Sequence, residues 1–205
     1  DLHIHTTASD GTLTPGQVAT RDGVHTQGSE WGLTPPGLEF EAMPPEPVLD
    51  ADNAAFITSG VSIAVASRNA ELVPSLIRAW GCRVSEDRRT VTLYVSPDQA
   101  GALLADLQAG RPLAAVFSLP SSHRTIQLKA HGARIGALTD EDRLVVERYV
   151  PALAANLERV GHGGRFAEAY LEITGGVLAS VAFEPEEAFA QTPGPKAGAR
   201  LERPA

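Results

Sequence analysis

The side chains best equipped for chemistry fall in one short segment, R-T-I-Q-L-K-A-H, from Arg124 to His131. Its alternation predicts a strand in which Ile126 and Leu128 share one face while Gln127, Lys129 and His131 share the other. An amide, an ammonium and an imidazole would then project from one side of a sheet. Lysine is scarce, with only Lys129 and Lys196 among 17 basic residues, so an ammonium inside a strand suits an anionic or polarisable ligand. The alternative is the solvated outer face of an edge strand, where the same groups simply meet water. Periodicity leaves both readings open.

A second group stands at the start of the chain. His3 and His5 lie two residues apart, so on a strand both imidazoles point the same way and can share a metal ion, with Asp10 close in sequence. A multinuclear centre that activates water needs further His, Asp and Glu ligands from distant strands. The stretch that follows, T-R-D-G-V-H-T-Q-G-S-E-W, offers His25 without a surrounding strand. His123, His131 and His162 come later without carboxylates beside them in sequence, so the expected metal complement is none.

Charge divides the chain. Residues 1–52 hold nine acids against Arg21 alone, so the whole formal charge of −8 sits there and the remainder is balanced. Neither part offers the basic surface that nucleic acid requires. Six prolines and six glycines fall in the same 52 residues, in runs such as W-G-L-T-P-P-G and M-P-P-E-P, and no period of 2 or 3.6 persists there after residue 20. Residues 21–48 therefore read as a linker, and the segment as a whole as disordered or extended. The one methionine, Met43, precedes the first periodic segment, which suggests that residues 1–42 are an upstream or fused extension. A single cysteine, Cys82, permits neither an internal disulfide nor a Cys-rich zinc site, which fits a reducing compartment and a cytoplasmic location. No apolar run approaches the ~18 residues of a membrane span, and nothing at the start reads as a signal peptide.

The elements that must carry Arg124–His131 are short strands. Val61, Ile63 and Val65 alternate with Ser62, Ala64 and Ala66 in a strand over 61–67. The run L-V-P-S-L-I-R-A-W-G follows, and Pro74 favours an edge or a bulged strand there. T-V-T-L-Y-V alternates again with Val91, Leu93 and Val95 inward, so the three strands read as an antiparallel meander. A helix begins at Ser96, with Pro97 at its first position and Gln99 completing a capping box. Strands are expected at 113–118 and in one long run from 124 through Ile135. Thr139 and Asp142 form a second capping box, opening a helix to about residue 160 that Pro151 should divide. A short helix over 165–172 and a strand over 177–183 complete a mainly β fold with peripheral α-helices, a closed or partly closed antiparallel barrel.

The order of strand, I-R-A-W-G, T-V-T-L-Y-V, S-P-D-Q-A-G-A-L-L-A-D-L, A-A-V-F-S and H-R-T-I-Q-L-K-A resembles the pyridoxamine 5′-phosphate oxidase-like group of FMN-binding split β-barrels of Greek-key type, over residues 49–201. The tail F-E-P-E-E-A-F-A-Q-T-P-G-P-K-A-G-A-R-L is similar to small members of that group. The resemblance implies a homodimer with FMN at the interface and a flavin-dependent oxidoreductase acting on a small molecule, or else a non-catalytic flavin-binding module. It implies FMN contacts at Arg78, Ser96, Arg124, Gln127 and Lys129. The residue types suit the task, since phosphate takes guanidinium, ammonium and helix N-terminal amides, and the polar ring edge takes an amide such as Gln127. S-P-D-Q stands where the oxidase itself carries Ser-Arg-Lys, and no Arg-x-His element follows, so oxidation of pyridoxamine phosphate is not implied. The opening D-L-H-I-H-T-T-A-S-D-G-T resembles the first motif of PHP-type metal-dependent phosphoesterases over residues 1–20, which implies metal binding by His3, His5 and Asp10. The barrel that would complete such a site is not found in the remaining sequence.

Overall fold

The computed structural model describes residues 46–171 and 176–202, all within the unit Met43–Ala205. In chain order the elements are α1 (Ala51–Ile57), β1 (Ser62–Arg68), β2 (Pro74–Arg78), β3 (Cys82–Val84), β4 (Val91–Val95), α2 (Pro97–Gln108), β5 (Leu113–Ser118), β6 (Thr125–Ala130), β7 (Arg134–Ala137), α3 (Asp140–Glu158), α4 (Arg165–Leu171), β8 (Ala179–Phe183) and β9 (Glu187–Ala190). They form two antiparallel sheets, ordered β2-β1-β5-β6-β9 and β3-β4-β8-β7. The expected mainly β split barrel with peripheral helices is what forms. His3, His5, Asp10 and the linker at 21–48 lie outside the described residues, save the last few of that linker.

Alternation decides which side of each strand goes inward. Ile63 and Val65 on β1, Ala115 and Phe117 on β5, and Ile126 and Leu128 on β6 are buried and meet Leu93, Val95, Val181 and Phe183 of the other sheet in one core. Each large apolar side chain sealed there contributes about 1.5–3 kcal/mol. Leu103 and Leu107 of α2 join the same core, and Ser75 Oγ donates to Asp106 at 2.9 Å, tying that helix to β2.

The expected meander is corrected. After β2 the chain leaves one sheet for the other: Ala79 N–H still donates to Ile63, whereas Trp80 N–H donates to Tyr94 on β4. Gly81 makes this switch at φ +135°, a conformation that side chains rarely adopt, with Tyr94 and Tyr149 packed where a Cβ would point. The long strand from residue 124 is likewise cut in two at 131–133, with β6 in the five-stranded sheet and β7 in the four-stranded one. Pro74 does sit on an edge, because β2 pairs only with β1.

All five residues of β4 are buried, not only the alternate three, because α3 covers the outer side. Its start is the Thr139–Asp142 capping box, present in both directions. Asp142 also accepts from Tyr94 Oη at 2.7 Å and Arg83 Nε at 3.0 Å, locking the first turn of α3 to β3 and β4. Pro151 does not divide the helix. Tyr149 Oη donates to Val61 and Asn156 Nδ2 to Gly60, on either side of it, while buried Val146, Leu153 and Leu157 hold the helix to the barrel. Those anchors outweigh the one backbone bond that proline removes. At α2 the capping box is absent: Ser96 is buried, its side chain makes no cap bond, and its backbone carbonyl serves Gln99 and Ala100 instead.

Candidate functional site

Strand pairing lays two straight rows across the outer face of the five-stranded sheet. Arg78, Ala64, Val116, Gln127 and Phe189 face one another in register, and beside them run Leu76, Ala66, Ala114, Lys129 and Glu187. The centre of this surface is a floor of small side chains, Ala64, Ala66, Ala114 and Val116, all half-buried. Longer side chains rim it. The helix that packs most closely on this sheet, α2, does so against β1 and β2.

The rim is cationic. Arg78 ends β2 with its guanidinium 5.9 Å from the centroid of Trp80. Lys129 Nζ lies 4.7 Å from the Phe189 ring, a cation–π contact. Phe189 is also bridged to Arg200, whose Nη2 is 3.2 Å from Glu187. The rows themselves thus hold two cations, Arg78 and Lys129, and one carboxylate, Glu187, which Arg200 pairs from beside them. Gln127 accepts at Oε1 from Gln191 Nε2 at 3.2 Å, a bond that does not use its own amide N–H groups. Neighbouring strands lie ~4.8 Å apart, so the backbones of Arg78 and Gln127 are separated by about 14 Å across three intervals.

His131, third on the same face of β6, lies beyond the strand end and pairs through Nδ1 with Glu186 at 2.8 Å, while Glu186 also accepts from His131 N–H. Those two hydrogen bonds from His131 hold the Glu186 carboxyl below the usual glutamate range. The carboxylate missing beside His131 in the sequence is therefore supplied from a distant turn.

Arg78, Gln127 and Lys129 share the surface that alternation assigns them. Arg124 and Ser96 do not join it. Arg124 precedes β6 with the opposite parity and folds onto α1, where Nη2 donates to Asn53 at 2.9 Å and the guanidinium stacks 4.1 Å over Phe56. Ser96 is buried at the passage from β4, in the other sheet, into α2. Phe189 and Glu187 complete the rim from a segment that sequence reading treats only as a similar tail; the alternation E-A-F-A was the available signal. Trp80 lies beside Arg78. Its indole N–H is buried without a hydrogen-bond partner among the described residues. Among those residues no cluster of three or more His, Cys, Asp or Glu could hold a metal, and no helix is long and apolar enough to cross a membrane.

No protein-family model matches the chain, and no curated protein sequence matches it. Solved structures do. A putative pyridoxamine 5′-phosphate oxidase from Lactobacillus delbrueckii is 15% identical, with 69% of this chain and 93% of that one covered at a TM-score of 0.44. HupZ of Group A Streptococcus is 14% identical over 73% and 100% of the two chains, TM-score 0.44. A pyridoxamine 5′-phosphate oxidase-related, FMN-binding protein from Nostoc punctiforme is 11% identical over 68% and 78%, TM-score 0.38. Proteins of the group that the order of elements resembles are thus among the structural neighbours. The resemblance of residues 1–20 to a phosphoesterase motif gains no support from them. At these identities the likeness carries nothing about activity.

Proposed function

We propose that the chain binds FMN, or a flavin of the same build, on the outer face of the five-stranded sheet, as a homodimer that covers this face. The observation that carries the reading is the pair of registered rows: a floor of small residues with Arg78, Lys129, Arg200 and the Gln127 amide around it. A flat ring system needs a shallow apolar floor, and Ala64, Ala66, Ala114 and Val116 offer one. A phosphate needs a cation, which Arg78 offers at one end of that floor and Lys129 at the other. The polar edge of the ring needs an amide donor, and Gln127 has one to give. Arg124 then steadies α1, and Ser96 begins α2, without touching the ligand.

The second copy follows from what the face lacks. Leu76 is 54% exposed beside the alanine floor, and a flavin lying on an open sheet would keep one side in water. A partner sheet would bury both. Bound flavin would supply the electron and hydride transfer, while the chain binds, orients and excludes water. Flavin-dependent oxidoreduction of a small molecule is the leading reading. A non-catalytic flavin-binding module is the second, favoured by the engagement of His131 with Glu186, which commits that imidazole to a neighbouring carboxylate.

Titrating the full chain with FMN, followed by visible absorbance, tryptophan fluorescence and size-exclusion with light scattering, tests the reading. Saturable quenching and a dimer mass are expected, and Lys129→Ala together with Arg78→Ala should weaken binding about ten- to a hundredfold, the value of charged hydrogen bonds. Absence of saturable binding sinks it. Bleaching of the bound flavin by a nicotinamide donor separates the oxidoreductase from the binding module.

A further inference from the structure

A cleft on the far side of the barrel, between the end of α1, the edge strand β3 and the middle of α3, belongs to none of the surface just described. Its volume is about 430 Å³, and Thr58, Ser59, Cys82, Arg83, Val84, Val145, Arg148, Tyr149 and Ala152 line it. The volume suits a small organic molecule. Two arginines and no carboxylate-bearing residue line it. The acid bonded to Arg83, Asp142, is also committed to Tyr94 and Thr139.

Both arginines are held ready by their Nε atoms. Arg83 Nε is fixed by Asp142 at 3.0 Å, and Arg148 Nε donates to the Leu144 carbonyl at 3.0 Å within its own helix. Arg83 is also held by Tyr94, whereas Arg148 has no bonding partner other than Leu144 among the described residues. A guanidinium presents paired N–H groups that match a carboxylate or phosphate. The remaining lining offers little to a polar body. Thr58 Oγ1 and Ser59 Oγ donate to carbonyls of α1, and Cys82, Val84, Val145, Tyr149 and Ala152 provide an apolar floor. The Cys82 thiol is pushed well above the usual range by burial, so it stays neutral and acts as a small apolar surface.

We infer that this cleft is a second ligand site, which takes a small organic anion with a compact apolar body, its acid group on Arg148 and Arg83 and its body against Tyr149 and Val84. The two-arginine end selects for negative charge. The floor selects against fully hydrated ions.

Benzoate is the probe, added to the full-length protein and followed by amide chemical shifts, with benzyl alcohol as the uncharged counterpart and inorganic phosphate as the anion without an apolar body. The inference expects saturable shifts for benzoate centred on Thr58, Ser59, Val84, Val145 and Tyr149, with both comparison compounds at least about tenfold weaker. Arg148→Glu is expected to weaken benzoate by at least about tenfold while leaving the melting temperature unchanged, since Arg148 is exposed and bonds only within its helix. FMN binding should be untouched by that variant. Benzoate shifts that do not saturate, or that map to the five-stranded sheet, overturn the inference, as does retention of benzoate by Arg148→Glu. Equal affinity for benzyl alcohol would refute the role of charge, and equal affinity for phosphate the role of the floor.

Discussion

Replacing Asp142 with alanine should unfasten α3 from the barrel. The carboxylate is buried, and it accepts from Tyr94 Oη at 2.7 Å, from Arg83 Nε at 3.0 Å and from Thr139 N–H at 3.0 Å. Removing it strands a phenol that is itself sealed from water, at about 1–3 kcal/mol. It also removes half of the capping box, worth about 1 kcal/mol. The guanidinium of Arg83 adds less, because its side chain is 40% exposed and water can take over. The terms are not independent, so about 3 kcal/mol is expected in all. For a chain of this size that lowers the melting temperature by about 6–12 °C. Urea unfolding followed by circular dichroism measures it, with Tyr94→Phe and the double variant closing a cycle. The two changes should couple strongly, since each removes the same bond. A loss below about 1 kcal/mol for Asp142→Ala, or strict additivity with Tyr94→Phe, would refute the latch. The pH dependence follows the same groups. Burial pushes the Asp142 carboxyl up, but the hydrogen bonds from Tyr94 and Thr139 and the Arg83 charge outweigh it and leave the group below the usual aspartate range. A carboxyl lowered by folding stabilises the native state above its ordinary range and loses that contribution as pH falls through the range and beneath it. Asp142→Asn should therefore flatten the acid side of the stability profile and leave the neutral region parallel.

Gly60 turns at φ +76°, and a Cβ there would meet the Ala152 Cβ at 2.5 Å, so Gly60→Ala is expected to cost about 2–4 kcal/mol in chemical denaturation. Pro151→Ala should restore a backbone donor inside α3 and raise stability by about 1–2 kcal/mol, read as a rise in melting temperature. A fall would mean that the proline stiffens the unfolded chain more than it disturbs the helix. The Cys82 thiol, buried with its ionisation pushed far up, should resist a disulfide reagent in the folded protein and react at once in denaturant.

What could be read from the sequence was whatever depends on neighbours along the chain. The inward and outward sets of β1 and β6 follow from a period of two, and the capping box at Thr139 and Asp142 from residue types three apart. The outer-face placement of Gln127 and Lys129 is legible for the same reason. What the sequence withheld depends on which strand lies next to which. Ala79 and Trp80 look like one continuous strand, yet their amides are bound to different sheets. Arg124 looks like a companion of Lys129, but its parity and the proximity of Asn53 and Phe56 take it elsewhere. His131 has no acid near it in sequence, and Glu186 reaches it from 55 residues away. Pro151 reads as a break because local rules cannot weigh the tertiary bonds of Tyr149 and Asn156.

The placing of β8 between β4 and β7, and of β9 beyond β6, has a consequence for biosynthesis. On the ribosome, β4 emerges long before the segment that completes its ladder, and until the last quarter of the chain appears nothing joins β4 to β7 in the four-stranded sheet. The nascent polypeptide must wait with β4 and β6 each open along one side, an invitation to pair with a neighbour. Closure then sets the last two strands against β4, β7 and β6 from the middle of the chain, so messages cut short before Ala179 should yield insoluble product rather than a smaller folded body.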